Sequence, residues 1–184
     1  RYKKIQSFAT FSLPLQRCKI NVQKELRIMN NIYFPDEEIT FNDLYFVCYM
    51  IERTARHLHQ RNNYVVKKLG KAALERQLSI AGTLHCLNPE QVVADWKEEY
   101  ALESGNFDVT SINPRFTDKI PSETQMGKVY ARLVDSITPS GGNFADSIIS
   151  VYASPICETI DNYNSSAYYE PSYVQTKAYL NGTF

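Results

Sequence analysis

Residues 40–61 constrain the fold of this chain more than any other segment, because they combine a helix start with a long apolar stripe. Thr40 and Asp43 stand three positions apart, in the arrangement of a capping box. Apolar side chains then recur at helical spacing, at Phe41, Leu44, Val47, Cys48, Ile51, Ala55 and Leu58. The segment therefore predicts an amphipathic helix that ends near Asn62 and organises the core.

Two further helix starts and one helix break can be placed from the sequence. Asn88 stands before Pro89, which suits a capping residue followed by a first helical position. Ser122 and Gln125 form a second capping box. Gly70 interrupts a helical pattern, and glycine costs roughly 1 kcal/mol inside a helix, so a break is expected there. These signals predict an all-α fold, an orthogonal or irregular helical bundle in two packed parts joined by an ordered connector.

The chain divides into four segments by composition and pattern. Residues 29–104 read as a helical domain, residues 105–120 as a connector without helical period, and residues 121–184 as a smaller helical domain. Residues 1–28 hold seven basic residues and one acidic residue, contain a proline and show no sustained period. This composition predicts an N-terminal extension that belongs to neither domain.

Two explanations of the extension remain open. Residues 24–28, KELRI, can be encoded by a purine-rich stretch that resembles a bacterial ribosome-binding site. On that hypothesis translation begins at Met29, and residues 1–28 are upstream read-through. The alternative is a basic arm that docks on a partner.

Composition and charge argue against several classes of protein. Hydrophobic residues make up 43% of the chain and the formal net charge is zero, which indicates a globular protein and disfavours a dedicated nucleic-acid binder. No apolar run approaches the roughly 18 residues of a membrane-spanning helix. The four cysteines lie far apart without a CxxC pair, which predicts a reducing compartment and no zinc site. We therefore expect a cytoplasmic protein that uses no metal or cofactor.

An Arg and His cluster in the second half of residues 40–61 is the first candidate site. Arg53, His57 and His59 are compatible with a helical ribonuclease, in which arginine stabilises the phosphate and histidine moves the proton. Residues on one helix face are three or four positions apart, however, which does not suit Arg53 with His59. We therefore expect a solvated or partner-binding face, with catalysis by these three residues as the alternative.

A larger basic surface extends from residue 53 to residue 76. Its members are Arg53, Arg56, Arg61, Lys67, Lys68, Lys71 and Arg76. Such a surface can hold phosphates, but no aromatic residues are interleaved for base stacking. An internal match to the acidic helix at residues 89–103, or a protein partner, explains the charge equally well.

The C-terminal part is rich in tyrosine, including Tyr163, Tyr168, Tyr169 and Tyr173. Tyrosine supplies a large contact area with a polar tip, which suits a recognition surface. Alternatively, the rings seal a small helical domain and their hydroxyls meet nearby carboxylates or backbone groups.

Four short motifs resemble a family of short uncharacterised bacterial helical proteins. They are FVCYMIE at residues 46–52, YVVKKLG at 64–70, LH at 84–85 and VVAD at 92–95. The resemblance covers about residues 43–100 and assigns no catalytic residue. Genes of that family often lie beside ADP-ribosyltransferase-like, toxin-like domains, so the resemblance implies a partner or a neutralising role.

Together these patterns predict a non-enzymatic intracellular module that binds another protein. The most specific version of this prediction is a toxin-neutralising or accessory role. The product of an adjacent gene is the expected partner, and no membrane is involved. The alternatives are the ribonuclease and a nucleic-acid-binding regulator that uses the basic surface. The predicted partner-binding residues are Arg53, Arg56, Arg61, Lys67, Lys68, Tyr163, Tyr168, Tyr169 and Tyr173.

Overall fold

The computed structural model describes residues 29–184 and shows them as an all-α fold, as predicted. Within this part of the chain, eight α-helices and one 3-10 turn accompany a ribbon of two short antiparallel strands. The elements are β1 (Met29–Asn30), β2 (Glu38–Ile39), α1 (Phe41–His57), α2 (Asn62–Ser79), α3 (Ala81–Leu84), α4 (Pro89–Glu99), α5 (Glu123–Ile137), α6 (Phe144–Tyr152), α7 (Pro155–Ile160), the 3-10 turn (Ala167–Tyr169) and α8 (Ser172–Asn181). No helix of the described residues is long and apolar enough to cross a membrane.

The ribbon of β1 and β2 lies at the start of the segment that the sequence assigns to the first helical domain. The Asn31 side chain accepts hydrogen bonds from the backbone of Tyr33 and Phe34 and donates one to the carbonyl of Ser79 in α2. These bonds close the loop and fix it to α2, so β1 and β2 can pair. The predicted extension at residues 1–28, with both of its explanations, lies outside the described residues.

Helix α1 begins as predicted and ends earlier than predicted. The Thr40 side chain accepts from the backbone of Asp43, whose carboxylate accepts from the backbone of Thr40 at 2.8 Å. The helix stops at His57 because Leu58 turns into the core and His59 adopts a left-handed φ of 51°. The chain reverses there, so Asn62 starts α2 and is not the end of α1.

The other local predictions are confirmed. Gly70 has a φ of 68° and a ψ of 179°, which kinks α2 into two halves. The Asn88 side chain caps α4 ahead of Pro89, and the Ser122–Gln125 capping box starts α5. Each signal acts within four residues, which is why the sequence alone was sufficient.

Helix α1 lies at the centre and packs most extensively against α5. At their closest approach, a Cβ added to Gly127 would stand 2.6 Å from the Cα of Tyr49, so only glycine fits there. Residues of both predicted parts join one hydrophobic core. The boundaries at 104 and 121 stay predictions. Residues 105–120 form neither helix nor strand, and they are held by bonds such as that from the Gly105 amide to the Leu58 carbonyl at 2.8 Å.

Candidate functional site

Arg53, the first residue of the predicted Arg and His face, joins three helices. Its guanidinium donates to the carboxylate of Glu123 in α5 at 2.5 Å and to that of Glu90 in α4. Burial alone would lower the pKa of Arg53, but these two carboxylates and Tyr49 together raise it above its ordinary value. Arg53 therefore holds α1, α4 and α5 together through internal ion pairs.

The two histidines of the ribonuclease alternative lie in different settings. His57 is exposed on the last turn of α1, and its Nδ1 is 3.9 Å from the Glu90 carboxylate that Arg53 also contacts. His59 lies beyond the helix end and is exposed. The fold thus brings Arg53 and His57 to one carboxylate and leaves His59 outside that group.

Arg56 belongs to a buried polar network and not to an open surface. Its Nε donates to the Glu52 carboxylate at 2.6 Å, and its Nη2 donates to the Tyr163 hydroxyl and to the Pro121 carbonyl, both at 2.9 Å. The Tyr163 hydroxyl in turn donates to Glu52 at 2.6 Å. Glu52 is only 1% exposed, so its buried negative charge has to be balanced by Arg56 and by these hydrogen bonds.

Asp161 adds a second buried carboxyl to the network. The Asn62 amide nitrogen donates to Glu52 at 2.7 Å and to both Asp161 oxygens at 3.1 Å, and the Tyr130 hydroxyl donates to Asp161 at 2.5 Å. Burial, followed by the negative charge of Glu52, raises the pKa of Asp161 to about 7. Asp161 also lines a surface cavity of about 270 Å³.

The described cysteines are unpaired thiols, with Cys48 and Cys157 buried and Cys86 exposed. Burial raises the pKa of Cys48 to about 12, so this thiol stays protonated in the core. Residues 29–184 contain no group of three or more His, Cys, Asp or Glu side chains that could hold a metal ion.

The predicted tyrosine surface divides into an inner and an outer pair. Tyr163 and Tyr168 are 1% and 5% exposed, and their rings meet edge to face at 5.4 Å. Tyr169 and Tyr173 are 62% and 73% exposed. The inner pair is nearly buried and offers little open surface, so the exposed tyrosine area comes from the outer pair, and partner binding by all four residues stays a prediction.

Two members of the basic surface meet the acidic helix at residues 89–103, which the sequence offered as one of two explanations beside a protein partner. Arg53 contacts Glu90 and Arg76 contacts Glu99, both on α4. Lys71 is also paired, since its Nζ lies 2.8 Å from the Asp146 carboxylate of α6. Several members of the basic surface therefore bind neighbouring helices.

The rest of the basic surface is exposed and dispersed. Arg61 stacks over the ring of Phe107, with its guanidinium carbon 4.2 Å from the ring centroid. Lys67 and Lys68 are exposed on α2, and the Lys68 ammonium lies 5.8 Å from the centroid of the Tyr64 ring. Arg61 also lines the cavity of about 270 Å³ beside Asp161.

An open groove lies between α5 and the start of α8, and its cations were not among the predicted site residues. It encloses about 620 Å³ and is called the α5–α8 groove. Its lining consists of Lys119, Ile120, Pro121, Gln125, Lys128, Val129, Arg132, Tyr168, Tyr169, Glu170, Pro171, Ser172 and Gln175. Two of these, Ile120 and Tyr169, are 44% and 62% exposed, and both are large apolar or aromatic side chains.

Buried bonds hold both walls of the α5–α8 groove. On one wall, Arg56 binds the carbonyl of Pro121. On the other, the Gln175 amide donates to the carbonyls of Ala167 and Tyr168 at 3.0 and 3.3 Å, which ties the 3-10 turn to α8. The groove is therefore formed before any ligand arrives.

One local signal in the sequence could have indicated the groove. Lys128 and Arg132 stand four positions apart on the outer face of α5, opposite its buried stripe. Like charges at this spacing destabilise a helix by roughly 0.2 to 0.5 kcal/mol. Such a pair therefore indicates a surface that contacts something other than its own helix. The opposite wall comes from residues about 40 positions later, and no local pattern reports that proximity.

The comparisons with known proteins add no relative. No protein-family model matches the chain, and neither a curated protein nor a solved structure does so. The geometry of the described residues is therefore the basis for any functional assignment.

Proposed function

We propose that this chain is a non-enzymatic protein-binding module that acts through the α5–α8 groove. The proposal rests on three exposed side chains at the rim of this groove. Ile120 and Tyr169 line the groove, and Tyr173 lies next to it on α8. Exposed rings beside a preformed concave surface are typical of protein interaction sites. The buried bonds behind both walls support a rigid docking surface.

The arrangement of the arginines favours binding over catalysis. A ribonuclease needs a cationic group free to stabilise the phosphate and a base oriented by a further group. Arg53 is engaged by Glu90 and Glu123, and Arg56 is engaged by Glu52 and Tyr163. Their contacts support a structural role for both residues.

The resemblance at residues 43–100 suggests the partner. In the family it resembles, adjacent genes encode ADP-ribosyltransferase-like, toxin-like domains, and we propose that this chain binds such a product in the bacterial cytoplasm. Its effect would be to neutralise that protein or to assist it.

Co-purification with the adjacent gene product tests the proposal, followed by titration calorimetry of the purified complex. We expect a stable complex that survives Arg53→Ala and His59→Ala, and Tyr169→Ser should weaken it by about tenfold or more, since rim-anchoring rings contribute most to such interfaces. Tyr33→Ser, at a ring that is 47% exposed on the β1–β2 loop, is the matched control and should leave affinity unchanged.

Two results would overturn the proposal. One is the absence of any complex with the intact chain. The other is RNA cleavage by the purified chain that disappears in His57→Ala or His59→Ala, at two exposed positions, which would establish the ribonuclease alternative.

A further inference from the structure

The three cations of the α5–α8 groove differ from Arg53 and Arg56 of α1, which are paired with carboxylates. Lys119, Lys128 and Arg132 are exposed, and none of them forms an ion pair within residues 29–184. Among the described residues that line the groove, Glu170 is the single acidic one. The described lining therefore carries more positive than negative charge.

The start of α8 adds to this positive field. Pro171 and Ser172 line the groove, and within residues 29–184 no side chain caps this ten-residue helix. The first amides of a helix lack intrahelical partners and carry a partial positive charge. Together with the three side chains, they favour an anionic group in the groove.

The remaining lining limits the class of ligand. Ile120, Pro121 and Val129 form apolar surface between the cations, and the Tyr169 ring stands beside them. Single-stranded nucleic acid needs a continuous basic track with successive stacking rings, which three separated cations and one outer ring do not supply. A peptide that alternates acidic with apolar side chains matches both parts of the lining.

We infer that the α5–α8 groove binds an acidic segment of the partner protein, with carboxylates at Lys119, Lys128 and Arg132 and an apolar side chain against Ile120 and Tyr169. The inference rests on the proposed function and specifies the chemistry of its partner. The composition of residues 1–28 does not match this chemistry, because seven of them are basic and one is acidic.

An unbiased library of displayed 12-residue peptides tests the inference with the full chain as bait. We expect enrichment of Asp and Glu alternating with large apolar residues. A synthetic peptide from the enriched set should bind about tenfold or more weakly to Lys128→Glu/Arg132→Glu, because like charges then face each other. Its affinity should also fall as salt is raised, since exposed charges are screened.

The matched control is Lys97→Glu/Arg115→Glu, which makes the same charge change at one exposed lysine and one exposed arginine outside the groove lining. It should bind the peptide like the unmodified chain. Enrichment of neutral or basic peptides, or of none, would overturn the inference, and so would equal loss of binding in both double variants.

Two further outcomes point to a different occupant and also overturn the inference. One is a labelled single-stranded oligonucleotide that binds the intact chain and not Lys128→Glu/Arg132→Glu. The other is concentration-dependent dimerisation that this variant abolishes, which would identify a second copy of the chain. Failure of the proposed function is separate, because it is measured with the adjacent gene product and not with peptides.

Discussion

Arg56 and Arg132 are both arginines on helices, yet their surroundings are opposite. Arg56 lies in the interior and binds Glu52, Tyr163 and Pro121. Arg132 lies on the outer face of α5 and forms no ion pair within the described residues. Arg56 stands beside His57 in the sequence, which suggests a functional site, but its contacts are structural. Arg132 is exposed and is therefore better placed to bind a partner.

Helix α5 connects the buried network with the groove. Its inner face carries Gly127, packed on α1, and Tyr130, bonded to Asp161. Its outer face carries Lys128 and Arg132. The buried network thus positions the helix that displays the groove cations, so changes inside should alter stability and changes outside should alter binding.

The largest expected loss of stability follows from Glu52→Gln. This substitution keeps the shape of the side chain and removes its charge, which leaves the Arg56 guanidinium without its buried counter-ion. Breaking a buried pair in this way costs about 3 to 5 kcal/mol of unfolding free energy, measured by urea denaturation. Glu98→Gln, at an exposed position of α4, is the control and should change it by less than about 0.5 kcal/mol. Similar values for the two variants would show that Glu52 is not structurally important.

Asp161 should make stability depend on pH between about 4 and 7. Its pKa is about 7 in the folded protein, while its ordinary value is 3.8, so the folded state binds the proton more tightly than the unfolded state. The unfolding free energy should therefore fall as pH rises through this window, by up to about 1.4 kcal/mol per pH unit.

Asp161→Asn isolates this contribution because an amide does not titrate. Its Oδ1 can still accept from the Tyr130 hydroxyl and from the Asn62 amide nitrogen, which keeps its bond to Glu52. The slope of unfolding free energy against pH should become flatter than in the unmodified chain, while Asp95→Asn at an exposed site should leave it unchanged. An unaltered slope in Asp161→Asn would contradict the assignment.

A smaller effect is expected at the contact between α1 and α5. Gly127→Ala places a methyl group against the backbone of Tyr49, so α5 has to move away from α1 at a cost of about 1 to 3 kcal/mol of unfolding free energy. Gly82→Ala in α3 meets nothing within 4 Å and should be neutral or stabilise by up to about 1 kcal/mol, because alanine favours a helix. If Gly127→Ala is as well tolerated as Gly82→Ala, α5 is not fixed by this contact.

The predictable features are those that depend on neighbouring residues. Capping at Thr40, Asn88 and Ser122 and the break at Gly70 each involve a few consecutive positions, and the structure confirms all of them. The apolar stripe of α1 was equally predictable, because burial of one face has a 3.6-residue period.

The site was not predictable to the same degree, because its contacts connect distant residues. Arg56 meets Tyr163 across 107 positions and Glu52 meets Tyr163 across 111. No periodicity reports such pairs, so Arg56, Tyr163 and Tyr168 were assigned to a binding surface although they are largely or fully buried. The early end of α1 was missed for a related reason, since it depends on the burial of Leu58 in the tertiary core.

The most direct test of this account is the unfolding free energy of Arg56→Gln and of Arg132→Gln, measured by urea denaturation under identical conditions. Each variant removes one guanidinium from a helix. We expect a loss of about 3 to 5 kcal/mol for Arg56→Gln, which leaves Glu52 buried without a counter-ion. We expect a change below about 0.5 kcal/mol for Arg132→Gln, because this side chain is exposed. Equal changes in the two variants, or a larger loss at Arg132, would contradict the distinction between a structural interior and a free binding groove.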